Sequence, residues 1–260
     1  MLEKSLTRLP YMRLIWLRFG LSCLLLHAAA LHAQTLRVVG TTFARIYEQN
    51  GYGEFSGMGV DLVRELAQRL GYDVQFELYP WPRAQQMVEL GQADVLMGPY
   101  KTPDRVARFT FAATPFYRDE ILFYARRSSP NWDGNTSSLY GKKVGVVAGW
   151  VYTPQFDAIK GNLELTTADQ VETGLRMLDF GRIDLLAVNQ RNTQPVLIQL
   201  GLMSKLTPVQ PALGSQVGYL AFPRQPRFEA LRSDMDRVFQ QLLANGTLTR
   251  LSQKWSVALP

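Results

Sequence analysis

The order of apolar segments in the first half of the chain constrains the fold more than any other feature of this sequence. Segments with the apolar runs or alternating patterns typical of strands alternate with segments whose apolar residues are spaced for one helical face. This strand–helix–strand–helix–strand order predicts an α/β protein with a mostly parallel, doubly wound sheet. The segments lie at residues 36–39, 60–70, 74–78, from Pro82 onward, and 94–98.

A second series of the same kind follows a turn-rich stretch at residues 128–138. Two α/β units joined by two extended crossings would leave a cleft between them. In open α/β sheets, ligands bind beyond the carboxyl ends of the strands. The second series comprises a strand at 143–147, helices near 153–159 and 168–178, a strand at 184–188, a helix at 192–200, a strand at 217–222, and C-terminal helices.

The first 33 residues have the organisation of an export signal, so we expect a periplasmic protein without residues 1–33. An apolar run at residues 21–26 is followed by small residues, and we expect cleavage after Ala33 or Ala30. The run is shorter than the roughly 20 residues that span a bilayer, which disfavours a retained anchor. The leader contains four basic residues: Lys4, Arg8, Arg13 and Arg18.

The leader also contains all the histidine and cysteine of the chain, His27, His32 and Cys23. A mature chain without these residue types has no Ser-His-Asp or Cys-His catalysis, no disulfide and no zinc site of the usual kind. We therefore predict no metal site and no cofactor. Removing four basic residues and one acid lowers the formal net charge from +6 to +3. No basic block remains that would bind a nucleic acid.

Several short motifs follow one another with a characteristic spacing. They are Gly57-Met58-Gly59-Val60-Asp61-Leu62, Gly91-Gln92-Ala93-Asp94 followed by Thr102-Pro103-Asp104-Arg105, Gly141-Lys142-Lys143-Val144-Gly145-Val146, and Ala244-Asn245-Gly246-Thr247 with Lys254-Trp255. Their order resembles that of the bacterial periplasmic solute-binding proteins of family 3, the substrate-binding proteins of polar amino-acid ABC transporters. Met58 and Gly59 depart from the family pattern.

The resemblance implies a type II periplasmic binding protein, in which two α/β lobes are joined by two hinge strands with a ligand cleft between them. It places residues 34–123 and 217–260 in lobe 1 and residues 124–216 in lobe 2. The hinge strands are expected near residues 121–126 and 215–222. It also implies a monomer that delivers a small solute to an ABC permease of the inner membrane by hinge closure.

Arg105 is the residue to which the resemblance gives the most specific role. It matches the arginine that clamps the ligand carboxylate in this family, and a planar guanidinium suits a carboxylate bound through two hydrogen bonds. The alternative is a surface arginine paired with Asp104, as most arginines are exposed. We predict a ligand that carries a carboxylate.

The other predicted ligand-binding residues lie in loops next to predicted strands. Tyr100 replaces a threonine that the family usually has, and Trp81 matches an aromatic residue that stacks on the ligand. Core packing is the alternative for Trp81 and Trp150. Besides Arg105, the predicted contacts are Thr41, Phe43, Trp81, Gly98, Tyr100, Gly149, Trp150 and Asn189.

At two positions that bind the ligand's α-ammonium group in the family, this sequence has a different residue. Asn189 occupies the place of the usual acid of the second lobe, and Thr41 or Thr42 stands where a first-strand acid often helps. Burying an ammonium without a counter-charge is costly. Three ligand types therefore remain open: a carboxylate without an amine, an amine held by aromatic faces, and an amino acid bound by another acid.

Two rival functions follow from the same resemblance. An enzyme similar to periplasmic cyclohexadienyl dehydratases would need an acid in the cleft of the second lobe to protonate a leaving hydroxyl. The acids at Asp157, Asp169 and Glu172 do not fall on loops that the pattern assigns to the cleft. We therefore expect a binding protein and not an enzyme. The other rival is a ligand-sensing subunit that docks onto a membrane receptor.

The Asn189→Asp variant tests the interpretation of the second-lobe departure. It should bind α-amino acids more tightly than the wild type, because the new carboxylate supplies the missing counter-charge. Isothermal titration calorimetry with a panel of α-amino acids measures the difference. A panel in which no amino acid gains affinity would contradict this interpretation.

Overall fold

The structure is a computed structural model that describes residues 34–129 and 132–260. The predicted signal peptide, residues 1–33, lies outside the described residues, and so do two residues of the turn-rich stretch. Within the described ranges, no helix combines the length and hydropathy needed to cross a lipid bilayer.

Strands and helices alternate along the chain, as the sequence pattern predicts. The strands are β1 (Thr35–Gly40), β2 (Glu48–Gln49), β3 (Phe55–Ser56), β4 (Asp73–Leu78), β5 (Val95–Tyr100), β6 (Phe109–Phe111), β7 (Tyr117–Arg126), β8 (Lys143–Val147), β9 (Glu164–Ala168), β10 (Leu185–Asn189) and β11 (Leu206–Pro223). The α-helices are α1 (Met58–Leu70), α2 (Trp81–Glu89), α3 (Pro103–Arg108), α4 (Pro154–Ile159), α5 (Val171–Asp179), α6 (Gln190–Gln199), α7 (Glu229–Ala244) and α8 (Thr247–Trp255).

Nine strands of the described residues form one sheet in the order β4-β1-β5-β11-β7-β10-β8-β9, with β6 beside β11. At one end β1 lies parallel to β4 and β5, and at the other end β8 lies parallel to β9 and β10. In the middle β7 and β11 pair antiparallel with each other. The two predicted sheets are thus joined into one, because the two crossing strands are hydrogen-bonded neighbours.

Buried apolar side chains divide into groups on the two sides of the β7–β11 pair. Helices α1, α7 and α8 pack with residues such as Val63 and Phe239 on one side. Leu175, Leu186 and Leu197 form a core on the other side. We call the part with β1–β6, α1–α3, α7 and α8 the first lobe, and the part with β8–β10 and α4–α6 the second lobe. This two-lobed α/β architecture confirms the predicted fold class, whereas the limits at residues 123 and 216 remain a prediction.

The long strand β11 differs from the prediction, which began it at residue 217. The strand starts at Leu206 and continues past Pro208 and Pro211. Its register with β7 shifts between Val209 and Gly214, which leaves Pro211 outside the ladder, where its missing N–H has no cost.

Strand β9 was not predicted, and the predicted helix at residue 168 begins instead at Val171. Strand β9 is the outermost strand of its lobe, and most of its side chains are exposed or half-buried. Its sequence therefore lacks the apolar run or alternation by which a buried strand is found.

The loop of residues 41–47, which enters the cleft, is tied to the start of α1. The N–H of Met58 donates to the carbonyl of Arg45 at 2.8 Å. Gly57 has φ 127°, and a Cβ atom there would lie 2.3 Å from the carbonyl oxygen of Ile46. This position therefore requires glycine, because a side chain would push the loop away from the helix.

The Gly57→Ala variant should lower the free energy of unfolding by at least about 2 kcal/mol, through the disfavoured φ and the backbone collision. Urea unfolding followed by circular dichroism measures the loss. Gly51→Ala is the matched control, since a Cβ atom at Gly51 meets nothing within 4 Å. Equal stability of the two variants would show that the close approach does not require glycine.

Candidate functional site

A cavity of about 810 Å³ lies between the two lobes. It is bordered by the loops that follow β1, β5, β8 and β10, which are the strand ends that the sequence analysis selected. All the predicted ligand-binding residues line this cavity, although their contact with a ligand remains a prediction. They are Thr41, Phe43, Trp81, Gly98, Tyr100, Arg105, Gly149, Trp150 and Asn189.

Arg105 is buried in the first-lobe wall of the cavity with 7% of its surface exposed. Its helix α3 begins at Thr102, whose hydroxyl oxygen accepts from the N–H of Arg105 at 3.2 Å. The guanidinium donates to the carbonyl of Tyr100 at 3.2 Å. Within the described residues it forms no ion pair, so Arg105 is a buried cation without a counter-ion. Its desolvation lowers the pKa of Arg105 below the ordinary value.

The free N–H groups of Arg105 face open space. Among the described residues, every fully buried side-chain nitrogen or oxygen has a hydrogen-bond partner. The unpaired nitrogens of Arg105 are therefore not sealed in protein, and the residue lines the cavity. A carboxylate in the cavity would supply both the missing charge and the missing acceptors.

Aromatic side chains form a wall beside Arg105. The Phe43 and Trp81 rings meet edge to face with centroids 5.4 Å apart. The guanidinium carbon of Arg105 lies 5.4 Å from the centroid of the Trp81 ring. Trp81 is the first residue of α2, and Pro80 precedes it as the N-cap. Trp150 of the second lobe lines the cavity and also packs against the core of its lobe, and its contact with a ligand remains a prediction.

The end of strand β5, from Gly98 to Tyr100, lines the cavity. Gly98 has φ 75°, a left-handed conformation that favours glycine. The Tyr117 hydroxyl donates to the Gly98 carbonyl at 2.6 Å. Strand β5 continues to Tyr100, beyond the predicted end at Gly98, because it pairs with β11 as far as Tyr100.

The Tyr100 hydroxyl links the two lobes. It donates to a carboxylate oxygen of Asp119 at 2.5 Å and accepts from the side-chain amide of Asn189 at 3.4 Å. Burial, followed by the negative charge of Asp119, raises the pKa of Tyr100 well above its ordinary value. The hydroxyl therefore keeps its proton and remains a donor. The other end of the Asn189 amide caps α6 by accepting from the N–H of Asn192 at 2.9 Å.

Three acidic residues line the cavity, and two of them correct an expectation of the sequence analysis. Asp169 and Glu172, which the pattern did not place in the cleft, border the cavity at the start of α5. They reach it because β9 precedes α5 and ends beside β8. Glu172 pairs with Arg176 at 2.9 Å, and Glu48 accepts from the N–H of Arg45.

A buried ion pair next to the cavity, between Asp119 and Arg191 at 2.7 Å, was not predicted from the sequence. Asp119 falls on the inward side of the alternating burial of β7, and Arg191 comes two residues after Asn189. The alternation of β7 was a usable signal for a buried acid. Nothing in the sequence pattern indicates that these two residues meet.

The geometry defines a two-lobed α/β protein with a solute-sized cavity between its lobes. The family model of bacterial extracellular solute-binding proteins, family 3, matches residues 38–258. The chain belongs to this family, which confirms the resemblance drawn from its motifs.

Individual relatives are similar to this chain over most of their length. It is 25% identical over 215 residues to the L-cystine-binding protein TcyJ of Escherichia coli (strain K12), covering 80% of this chain and 76% of that protein. It is 25% identical to the histidine-binding periplasmic protein of Salmonella typhimurium, covering 84% and 86%. A solved histidine kinase sensor domain with similarity to periplasmic binding proteins has a TM-score of 0.77 at 23% identity, covering 88% and 99%. This last likeness shows the fold.

The Tyr100→Phe variant should lower the free energy of unfolding by about 1–3 kcal/mol, because it removes a charge-assisted hydrogen bond to a buried carboxylate. Urea unfolding measures the change. Tyr52→Phe is the control, since Tyr52 is 93% exposed and its hydroxyl has no contact to lose. If Tyr100→Phe were as stable as Tyr52→Phe, the hydrogen bond from Tyr100 to Asp119 would contribute nothing to stability.

Proposed function

We propose that this chain is a periplasmic substrate-binding protein that captures a small carboxylate-bearing solute, an amino acid or a related compound. It delivers the solute to an ABC transporter of the inner membrane by closing its two lobes around it. Although Asp169 and Glu172 border the cavity, we propose that the chain binds its solute without catalysis, because the cystine-binding and histidine-binding relatives are named as binding proteins.

The buried guanidinium of Arg105 carries this proposal. A buried charge without a partner is costly, and proteins keep such a group where a ligand completes it. The planar fork of N–H donors in an arginine matches the geometry of a carboxylate or a phosphate and can bind either through two hydrogen bonds. The neighbouring Trp81 ring supports a solute with an apolar or flat part next to its carboxylate.

The acids on the opposite side of the cavity support a solute that also carries a positive charge. Asn189 offers no charge, whereas Asp169 lines the cavity without a hydrogen bond or ion pair to any described residue. An amino acid bound by an acid other than the usual one is therefore the ligand type that the cavity favours among the three. The names of the cystine-binding and histidine-binding relatives agree with this class of solute.

Export and delivery rest on kinship. The basic and apolar leader predicts secretion to the periplasm, and the relatives include a periplasmic histidine-binding protein. Solute-binding proteins of this kind hand their ligand to a permease, which is the partner that we propose. Closing stabilises the bound form only as far as the solute contacts both lobes.

A thermal-shift screen of the mature protein against amino acids, small carboxylates and amines tests the proposed function. A solute at 100 times its dissociation constant should stabilise the protein by about 2.7 kcal/mol. A screen in which no carboxylate-bearing compound raises Tm, although the protein is folded, would refute the proposal.

The Arg105→Ala variant tests the role of the guanidinium with the solute found in that screen. Binding should weaken by about 2–5 kcal/mol, because the solute carboxylate loses its charged partner. The fold should remain intact, since Arg105 makes no ion pair to lose. Isothermal titration calorimetry measures the affinity.

Arg108→Ala is the matched control for this variant. Arg108 lies on the same helix, pairs with Glu89 at 2.7 Å and does not line the cavity. It should bind the solute like the wild type. An Arg105→Ala variant with the affinity of Arg108→Ala would end the assignment of Arg105.

A further inference from the structure

The guanidinium of Arg191, at the start of α6, is bound by groups of β7 and of the first lobe. Its Nε and Nη2 atoms each donate to one carboxylate oxygen of Asp119, both at 2.7 Å. Its Nη1 atom donates to the backbone carbonyl of Ala44. The guanidinium carbon lies 5.1 Å from the centroid of the Tyr117 ring. A carboxylate, a carbonyl and an aromatic face are the groups by which proteins bind a cation.

These groups are shielded from water. The side chains of Arg191 and Asp119 are 8% and 0% exposed. Within residues 34–129 and 132–260, Asp119 is the only acidic residue that is buried. A pair so deeply buried with bidentate geometry resists separation, because parting it would leave two uncompensated charges.

A second contact reinforces the first. The side-chain oxygen of Asn192, next along α6, accepts from the N–H of Ala44 at 2.8 Å and from Arg191 at 3.1 Å. The N–H and the C=O of Ala44 are thus both bound by the second lobe. Ala44 belongs to the first lobe, and Asp119 and Tyr117 lie at the start of β7, where it pairs with β11. Arg191 and Asn192 stand on α6 of the second lobe.

We propose that Asp119, Tyr117 and the Ala44 carbonyl form a guanidinium-binding site between the lobes, which the chain fills with its own Arg191, so that the lobes close without a solute. The inference rests on the hinge closure proposed above. Arg191 acts as a tethered cationic ligand. It keeps the one buried carboxylate from any cationic group of a solute, and it leaves Arg105 to hold the solute's carboxylate.

The position of the pair gives a small cation access to it. Asp119 and Arg191 line a second cavity of about 590 Å³, on the hinge side of the lobe contact. Ala44, Tyr117 and Asn192 line the cleft on the other side. The site therefore lies in the wall between two cavities, where a guanidinium ion can enter once the Arg191 side chain is removed.

Chemical rescue tests the site directly. The Arg191→Ala variant should have a lower Tm than the wild type, and guanidinium chloride at millimolar concentrations should raise that Tm by a few degrees relative to sodium chloride. The wild type should show no such rise. An Asp119→Asn, Arg191→Ala double variant should show none either, because the carboxylate that holds the ion is gone. Equal responses of the single and the double variant would overturn the proposed site.

Compactness without a solute tests the closure. The Arg191→Lys variant keeps the charge but loses the bidentate hydrogen bond to Asp119 and the hydrogen bond to the Ala44 carbonyl. By small-angle X-ray scattering, Arg191→Lys should have a larger radius of gyration than the solute-free wild type. Arg182→Lys, a change of an exposed arginine, should not. Identical radii for Arg191→Lys and the wild type would overturn the solute-independent closure, even if Arg191→Ala failed to fold.

These measurements contain no solute, so they separate the inference from the proposed function. A wild type that is compact and loses compactness in Arg191→Lys supports the inference, whatever the thermal-shift screen finds. A screen without a carboxylate hit would refute the transport role alone.

Discussion

The antiparallel pairing of β7 with β11 is the interaction on which the rest of the molecule depends. Each lobe has its own apolar core, and these two strands are the hydrogen-bonded connection between the cores. Because both strands run through both lobes, the parallel strands on either side point their carboxyl ends toward the same gap. The cleft is therefore a result of strand order, and its lining comes from the segments that follow six strands, β1, β4, β5, β8, β9 and β10.

The two buried arginines near this gap, Arg105 and Arg191, have different surroundings. Arg105 is buried on one side of the cleft and has, among the described residues, one backbone acceptor and no opposite charge beside it. Arg191, a few residues past the end of β10, has its charge neutralised and its donors used by Asp119 and Ala44. Two guanidinium groups in one region thus differ in what surrounds them: one is saturated by the protein, and the other has unused donors.

The sequence predicted the architecture well because burial leaves a periodic trace. The strands β1, β4, β5, β8 and β10 are found within a few residues of their predicted bounds, and motif spacing led to the residues that line the cleft. Strand β9 was not predicted because an exposed edge strand lacks this periodic pattern. The start of α5 was therefore also predicted too early. The ion pair of Asp119 and Arg191 could not be predicted for another reason. Its partners lie 72 residues apart, and a pairing over that distance follows only from the register of β7 with β10.

The lack of an anion beside Arg105 among the described residues affects the free energy of unfolding and, on the proposed function, the free energy of solute binding. A desolvated cation that lacks an anion destabilises the ligand-free protein, and an apolar side chain of similar volume would pack there without that penalty. On the proposed function, the carboxylate of the solute neutralises this cation. Solute affinity and the stability of the solute-free protein would then make opposite demands on position 105.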